Sequence, residues 1–171
     1  MEAFWQTYFT QSGIGWALIG AMMAVMFGGV GSAKGIRIAG AQAGGVLSEK
    51  PEIFGKLLVL MALPGTQGFY AFIIAIFIAS KTGMLGTAPV AVTPLQGLGL
   101  MAVGICAGIV EWRSAIYQGE ASAAAINLTA RRPEEAGRSI LIPALVETYA
   151  VVALLASILF IMWITAMKVA A

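Results

Sequence analysis

The sequence predicts an all-α membrane protein of four transmembrane helices, built as two duplicated helical hairpins. Three observations predict this. Of 171 residues, 60% are hydrophobic and 11% charged, with 21 glycines and a mean hydropathy of +0.90, a composition foreign to soluble domains. Four long stretches are almost free of charge, and each can supply the roughly 20 residues that a spanning helix needs. The motifs that punctuate the first half also recur in the second, and a repeat of this kind decides the architecture before any single helix does.

The first helix is expected within residues 3–33. Met1-Glu2-Ala3-Phe4-Trp5 lacks the basic region of a cleaved signal peptide, so this helix is expected to remain in the mature chain. Trp5 and Tyr8 near its start, with Trp163 near the end of the last helix, suit an aromatic belt at one interface. A bend follows at Lys50-Pro51-Glu52, and the second helix is expected over 57–80. A connection near residues 82–94 leads into the third helix, whose charge-free stretch ends at residue 110, before Glu111 and Arg113. After a second bend at Arg132-Pro133-Glu134, Glu147 is the one charged residue between Arg138 and Lys168 in the fourth.

The duplication is clearest at the bends. Lys50-Pro51-Glu52 with Gly55-Lys56 matches Arg132-Pro133-Glu134 with Gly137-Arg138 at an offset of 82 residues, and Gly13, Gly15 and Gly20 recur as Gly97, Gly99 and Gly104 at an offset of 84. The chain accordingly divides into a first hairpin, 1–86, and a second, 87–171. Because each half crosses the membrane twice, the two share one orientation, unlike an inverted repeat. Arg37, Lys50 and Lys56 flank the first bend and Arg131, Arg132 and Arg138 the second, against Lys81 and Lys168 near the opposite ends. The positive-inside rule then places both bends in the cytoplasm and the termini outside.

Several chemistries are excluded. Cys106 is the single cysteine, and the chain has no His and no Asp, so an intramolecular disulfide, a thiolate metal cluster, the common zinc sites and a Ser-His-Asp triad are all ruled out. Cys106 is expected to be a small packing residue. A net charge of +2 gives no basis for a nucleic-acid partner. The sequon Asn127-Leu128-Thr129 lies beside a bend expected in the cytoplasm and reads as a chance match.

An acid at mid-membrane is costly and ordinarily marks an ion or proton pathway. In an antiparallel hairpin, residues equally far from the bend lie at equal depth. Gln118 and Glu147 are both about 22 Å from the Arg132-Pro133 bend, taking 1.5 Å per residue. The 82-residue offset maps Glu147 onto Gly65, beside Thr66, Gln67 and, one turn on, Tyr70. Pro64 removes a backbone hydrogen bond just there and frees carbonyl oxygen. Carbonyl, hydroxyl, amide and carboxylate oxygens could therefore surround a small hard cation, whereas a proton needs only the carboxylate, so the surplus of neutral oxygens favours Na⁺ over H⁺.

The duplicated hairpins, the Leu63 to Gly68 segment and Val146-Glu147-Thr148-Tyr149 resemble the rotor-ring proteolipids, or K subunits, of V-type rotary ATPases. The resemblance covers nearly the whole chain. It implies a Na⁺ site made by the Leu63 carbonyl with Thr66, Gln67, Gln118 and Glu147, closed by Tyr70. It further implies a homo-oligomeric ring with the first and third helices inside and the second and fourth outside. A stator subunit with an essential arginine, a central-stalk subunit and membrane lipids would be its partners. Such a protein is not itself an enzyme; ATP is hydrolysed or synthesised by other subunits. The small-xxx-small pairs Gly31/Gly35 and Gly40/Gly44 fit close helix packing.

A proton-carrying ring protein of the same family is the alternative. A small four-helix cation-coupled antiporter and a purely structural proteolipid share the composition, but neither explains the duplicated bends. Glu111, Ser114 and Gln118 share a helical face, so Glu111 could stand behind the ion site. The favoured expectation is that Glu111, Arg113, Lys34 and Arg37 all face the interior of the ring. Tyr149 is expected to pack, or to touch the carboxylate. A bacterial plasma membrane is the expected location.

Overall fold

In the computed structural model the described residues are 1–86 and 90–167, and among them the chain is helical without a strand. Its elements are α1 (Glu2–Trp5), α2 (Ile14–Leu47), α3 (Phe54–Ala62), α4 (Thr66–Lys81), α5 (Pro94–Arg131), α6 (Ala136–Ser139) and α7 (Leu141–Ala166). Short 3₁₀ turns join α2 to α3, α3 to α4 and α5 to α6, which leaves four segments long and apolar enough to cross a membrane: Ile14–Leu47, Pro51–Lys81, Pro94–Arg131 and Pro133–Ala166. This is an integral multi-pass membrane protein of four spans. Lys168, used above for orientation, and residue 87, the expected start of the second hairpin, lie outside the described residues.

The spans differ from the charge-free stretches in where they begin and end. The first starts at Ile14 rather than near residue 3, because Ser12 and Gly13 interrupt the helix; Ile14 N–H donates to the Ser12 hydroxyl (3.2 Å). Ahead of it, α1 and a π-helical turn at Gln6–Thr10 fold back so that Phe9 stacks on Trp5 (4.5 Å) and meets Trp16 edge-on (5.2 Å). The third span starts at Pro94, where Thr93 and Gln96 form a reciprocal capping box and proline occupies the first helical position. It then runs through Glu111 and Arg113 without a break. With 34 and 38 residues, α2 and α5 are about 51 and 57 Å long at 1.5 Å per residue. Both exceed a hydrocarbon core of about 30 Å, so their ends carry the bend charges clear of it.

The two bends are conformational copies. Lys50 (φ −134°, ψ 67°) and Arg132 (φ −135°, ψ 80°) are pushed out of the helical region by the proline that follows each, and each is succeeded by a 3₁₀ turn. They also lie side by side: Lys50 Nζ donates to the Ala130 carbonyl (2.7 Å), Lys56 Nζ to the Pro133 carbonyl (3.2 Å), and Gln42 Nε2 to Asn127 Oδ1 (2.6 Å). Two bends at one end are what a parallel duplication requires.

Glycine builds the centre. A Cβ on Gly97 would strike the backbone of Gly13, one on Gly104 that of Gly20, and one on Gly119 that of Gly35. These three pairs, each at an offset of 84, face each other across the α2–α5 contact, where the absent side chains let the two backbones meet, whereas Gly15 lies against Phe9 and Gly99 against Ile164. Gly31 and Gly35 belong to this seam, against Trp112 and Ala115, whereas Gly40 and Gly44 have open space beside them. α4 packs on α2 and α7 on α5. One apolar cluster centred on Ala17, Ala24, Ile74, Leu100 and Ile161 fills the end away from the bends, and another around Ala43, Leu57, Leu60 and Ile126 fills the bend end. A polar layer separates them.

Candidate functional site

The polar layer begins where the second span breaks. Pro64 cannot donate to the carbonyl four residues back, so the helix tightens into a 3₁₀ turn at Leu63–Gly65 and restarts at Thr66. Thr66 Oγ1 donates to the Leu63 carbonyl (3.0 Å). The break is pinned to α2 by the Ser32 hydroxyl, which accepts from Gly68 N–H (2.8 Å).

From this turn a continuous chain of hydrogen bonds runs through both hairpins. Gln67, fully buried, lies 3.4 Å from the Thr66 hydroxyl through Oε1 and donates through Nε2 to Gln118 Oε1 (2.5 Å) and Ser114 Oγ (3.4 Å). Gln118, also fully buried, donates through Nε2 to the Pro143 carbonyl (3.2 Å) and to Glu147 Oε2 (3.3 Å). Tyr70 Oη donates to Glu147 Oε1 (2.6 Å). Each carboxylate oxygen therefore meets one donor, an arrangement that accommodates the ionised form. The residues singled out in the sequence, Leu63, Thr66, Gln67, Tyr70, Gln118 and Glu147, all fall in this one network.

Glu147 is half-buried and opens to the outer surface of α7, where Leu145 and Tyr149 are exposed. The polar interior thus reaches the lipid-facing side at the carboxylate. Among the described residues no three His, Cys, Asp or Glu side chains cluster, so the oxygens here are mostly neutral. Such a set suits a monovalent hard cation better than a transition metal.

Three participants escaped the sequence reading: the Ser114 hydroxyl, the Pro143 carbonyl and the Ser32 hydroxyl. Ser114, already placed on the Gln118 face, stands one turn before Gln118 but was not counted among the site residues, and for Pro143 the one-turn spacing before Glu147 is the only signal the sequence offered. Ser32 belongs to a separate helix and left none.

Other expectations need correction. Within the protomer Tyr149 is 75% exposed, and the hydroxyl bonded to Glu147 is that of Tyr70 instead. Cys106 is exposed on α5 rather than packed. Glu111 does not accompany the other charges. Lys34, Arg37 and Arg113 are exposed, and Arg113 turns back along α5 to donate to Tyr117 Oη (2.5 Å) and cover its ring. Glu111, by contrast, is fully buried and neither of its oxygens has a partner among the described residues. It is not bonded to Ser114 or Gln118, as a residue supporting the site directly would be.

Comparison with known proteins agrees with this architecture. The profile of the family of ATP synthase C subunits matches twice, over residues 19–78 and 101–160, so that each hairpin corresponds to one family unit. The chain is similar to a V-type sodium ATPase subunit K of Enterococcus hirae, with 35% identity over 88% of this chain and 92% of that protein. It is also similar to an A-type ATP synthase subunit K of Methanocaldococcus jannaschii, with 37% identity over 84% of this chain; the match spans 60% of that relative's length.

Proposed function

Because the chain belongs to the family of ATP synthase C subunits, we propose that it is a rotor-ring proteolipid of a V-type rotary ATPase, carrying Na⁺ across the membrane. The carriage would be coupled to ATP hydrolysis or synthesis in other subunits, with no catalysis by this chain. The observation that supports sodium is the network from the Leu63 carbonyl through Thr66, Gln67 and Gln118 to Glu147. A proton would need only the last of these oxygens.

The chemistry follows from charge. Empty, Glu147 is an anion held by the Tyr70 hydroxyl and the Gln118 amide. A cation entering there neutralises it, and rotation of the Gln118 amide by half a turn exchanges its nitrogen for oxygen on the carboxylate side. Gln67, bonded to Gln118, would follow. The filled site is electrically neutral and can face lipid, whereas the empty carboxylate resists leaving a polar environment. Rotation is then permitted only for loaded copies. An arginine on a stator subunit would displace the ion, and each elementary charge crossing the membrane exchanges about 2.3 kcal/mol per 100 mV. The remaining partners are membrane lipids and a central-stalk subunit.

In this reading the bends face the cytoplasm and the termini the outside of a bacterial plasma membrane, and the open glycine face at Gly40 and Gly44 meets a neighbouring copy. Native mass spectrometry of the purified oligomer tests it. The expected result is a large ring with one Na⁺ per protomer, lost in Glu147→Gln. An intact ring that binds no Na⁺ at any pH would assign the proton instead, and a dimer that binds organic cations would replace the rotor with an antiporter.

A further inference from the structure

Glu111 is chemically the opposite of Glu147. It lies in the middle of α5, about 10 Å along the axis from Gln118, and its Cβ faces Gly28 of α2, which also meets Ala71 and the backbone of Gln67 in α4. The side chain has no exposed surface, and among the described residues no donor reaches either oxygen. An ionised carboxylate so placed in a membrane interior would be left uncompensated, at a cost that such groups avoid by becoming neutral. A hard cation would require six or so oxygen ligands, whereas the Gly28 contact brings in Ala71 and a single backbone carbonyl, that of Gln67. A proton requires none.

We propose that Glu111 is a second ionisable site in each protomer, a proton-binding carboxyl separate from the cation carrier, whose loss of that proton tightens cation binding at Glu147. This step is a simple dissociation: the O–H bond of the acid breaks, the proton passes to water, and the electron pair stays on the carboxylate. The coupling rests on the sodium reading given above, but the protonation of Glu111 does not. Because Glu111 lies against α2 inside the protomer and not at the outer face where Glu147 opens, its proton is not cargo. It sets the charge against which the cargo binds.

The groups around it fix the sign. From α4, Ala71 lies with the Glu111 Cβ against Gly28, and the preceding residue, Tyr70, is bonded to Glu147 of α7. On α2, Lys34 and Arg37 are exposed, and on α5 itself Arg113 is turned outward onto Tyr117. No cation is thus directed at Glu111 from these elements. Its ionisation adds one negative charge about two helical turns along α5 from Gln118, and a unit charge acting across roughly 10–15 Å in a partly polarisable interior changes the affinity for a monovalent cation on the order of tenfold.

The test compares Na⁺ binding to purified rings across pH in wild type and Glu111→Gln. Glutamine mimics the protonated acid, so the two should coincide at low pH and wild type should bind on the order of tenfold more tightly at high pH. Infrared titration of Glu147→Gln rings supplies a reading independent of sodium. Every remaining side-chain carboxyl other than Glu111 is exposed or, at Glu135, paired with Arg138, so a protonated carboxyl persisting at neutral pH, and lost when Glu111→Gln is added, is the expected result. Superimposable binding curves would remove the coupling, and absence of the carboxyl signal would overturn the proposal as a whole. Rings that bind no Na⁺ yet retain the signal would refute the sodium reading alone.

Discussion

Glu147 has a donor for each of its oxygens, and the donors come from different helices: Tyr70 from α4 and Gln118 from α5. Removing one neutral partner should therefore separate sodium from protons. In Gln118→Leu the cation loses an oxygen and the carboxylate a hydrogen bond worth about 1.5–3 kcal/mol. Sodium affinity is expected to fall about ten- to hundredfold while carbodiimide modification of Glu147 persists, a contrast measurable by labelling at graded Na⁺. Equal loss of both would mean that the amide supports the fold rather than the ion. The common depth of Gln118 and Glu147 was legible in the sequence, because helical rise is constant and both were counted from one bend. The burial of Glu111 was not. Depth along a helix can be counted from sequence, but which way a residue turns depends on how α5 rolls against α2, and that is set by glycine contacts with little signature in the charge pattern.

Among the elements, the α2–α5 seam and the break before α4 carry separate duties. Gly104 meets the Gly20 backbone, so Gly104→Val should force the helices apart; overpacking of this kind costs about 1–3 kcal/mol or more. It should lower the melting temperature of the oligomer, whereas Gly29→Ala, beside open space within the protomer, should leave the protomer fold intact. Pro64→Ala restores a backbone donor for the Leu60 carbonyl and regularises the Leu63–Gly65 turn, moving the Leu63 carbonyl from the Thr66 N–H, from which it accepts, toward the Gln67 N–H, along the helix axis. Sodium affinity should drop several-fold with the oligomer retained, and unchanged affinity would dismiss the Leu63 carbonyl as a ligand. The repeat made Gly13, Gly20, Gly97 and Gly104 visible as a pattern, but it equally picked out Gly15 and Gly99, which meet Phe9 and Ile164 instead, so the repeat alone does not tell which glycines touch. The ends of the helices were misplaced because freedom from charge marks hydrocarbon, while α2 and α5 continue into water, where charged residues are good helix formers.

Across the whole molecule, two apolar clusters enclose one polar layer, and that layer opens sideways at Glu147. A soluble four-helix bundle would bury its polar groups away from the surface or direct them to water. Here the outer faces of α4 and α7 present Phe69, Phe72, Leu145, Leu155 and Phe160, so the carboxylate emerges among lipid-facing side chains. Such placement suits a carrier that must be neutral while it moves, and the family assignment supplies the ring in which it moves. In the proposed reading, duplication without a second carboxylate, Gly65 standing where the first hairpin would have one, would halve the number of carriers per span and so the charge carried per turn of a ring of given size. Carbodiimide labelling of the intact oligomer tests the central claim most directly. Na⁺ should protect Glu147 in a concentration-dependent way at a pH where the carboxyl otherwise reacts, and labelling that is indifferent to Na⁺ at every pH would contradict a sodium carrier.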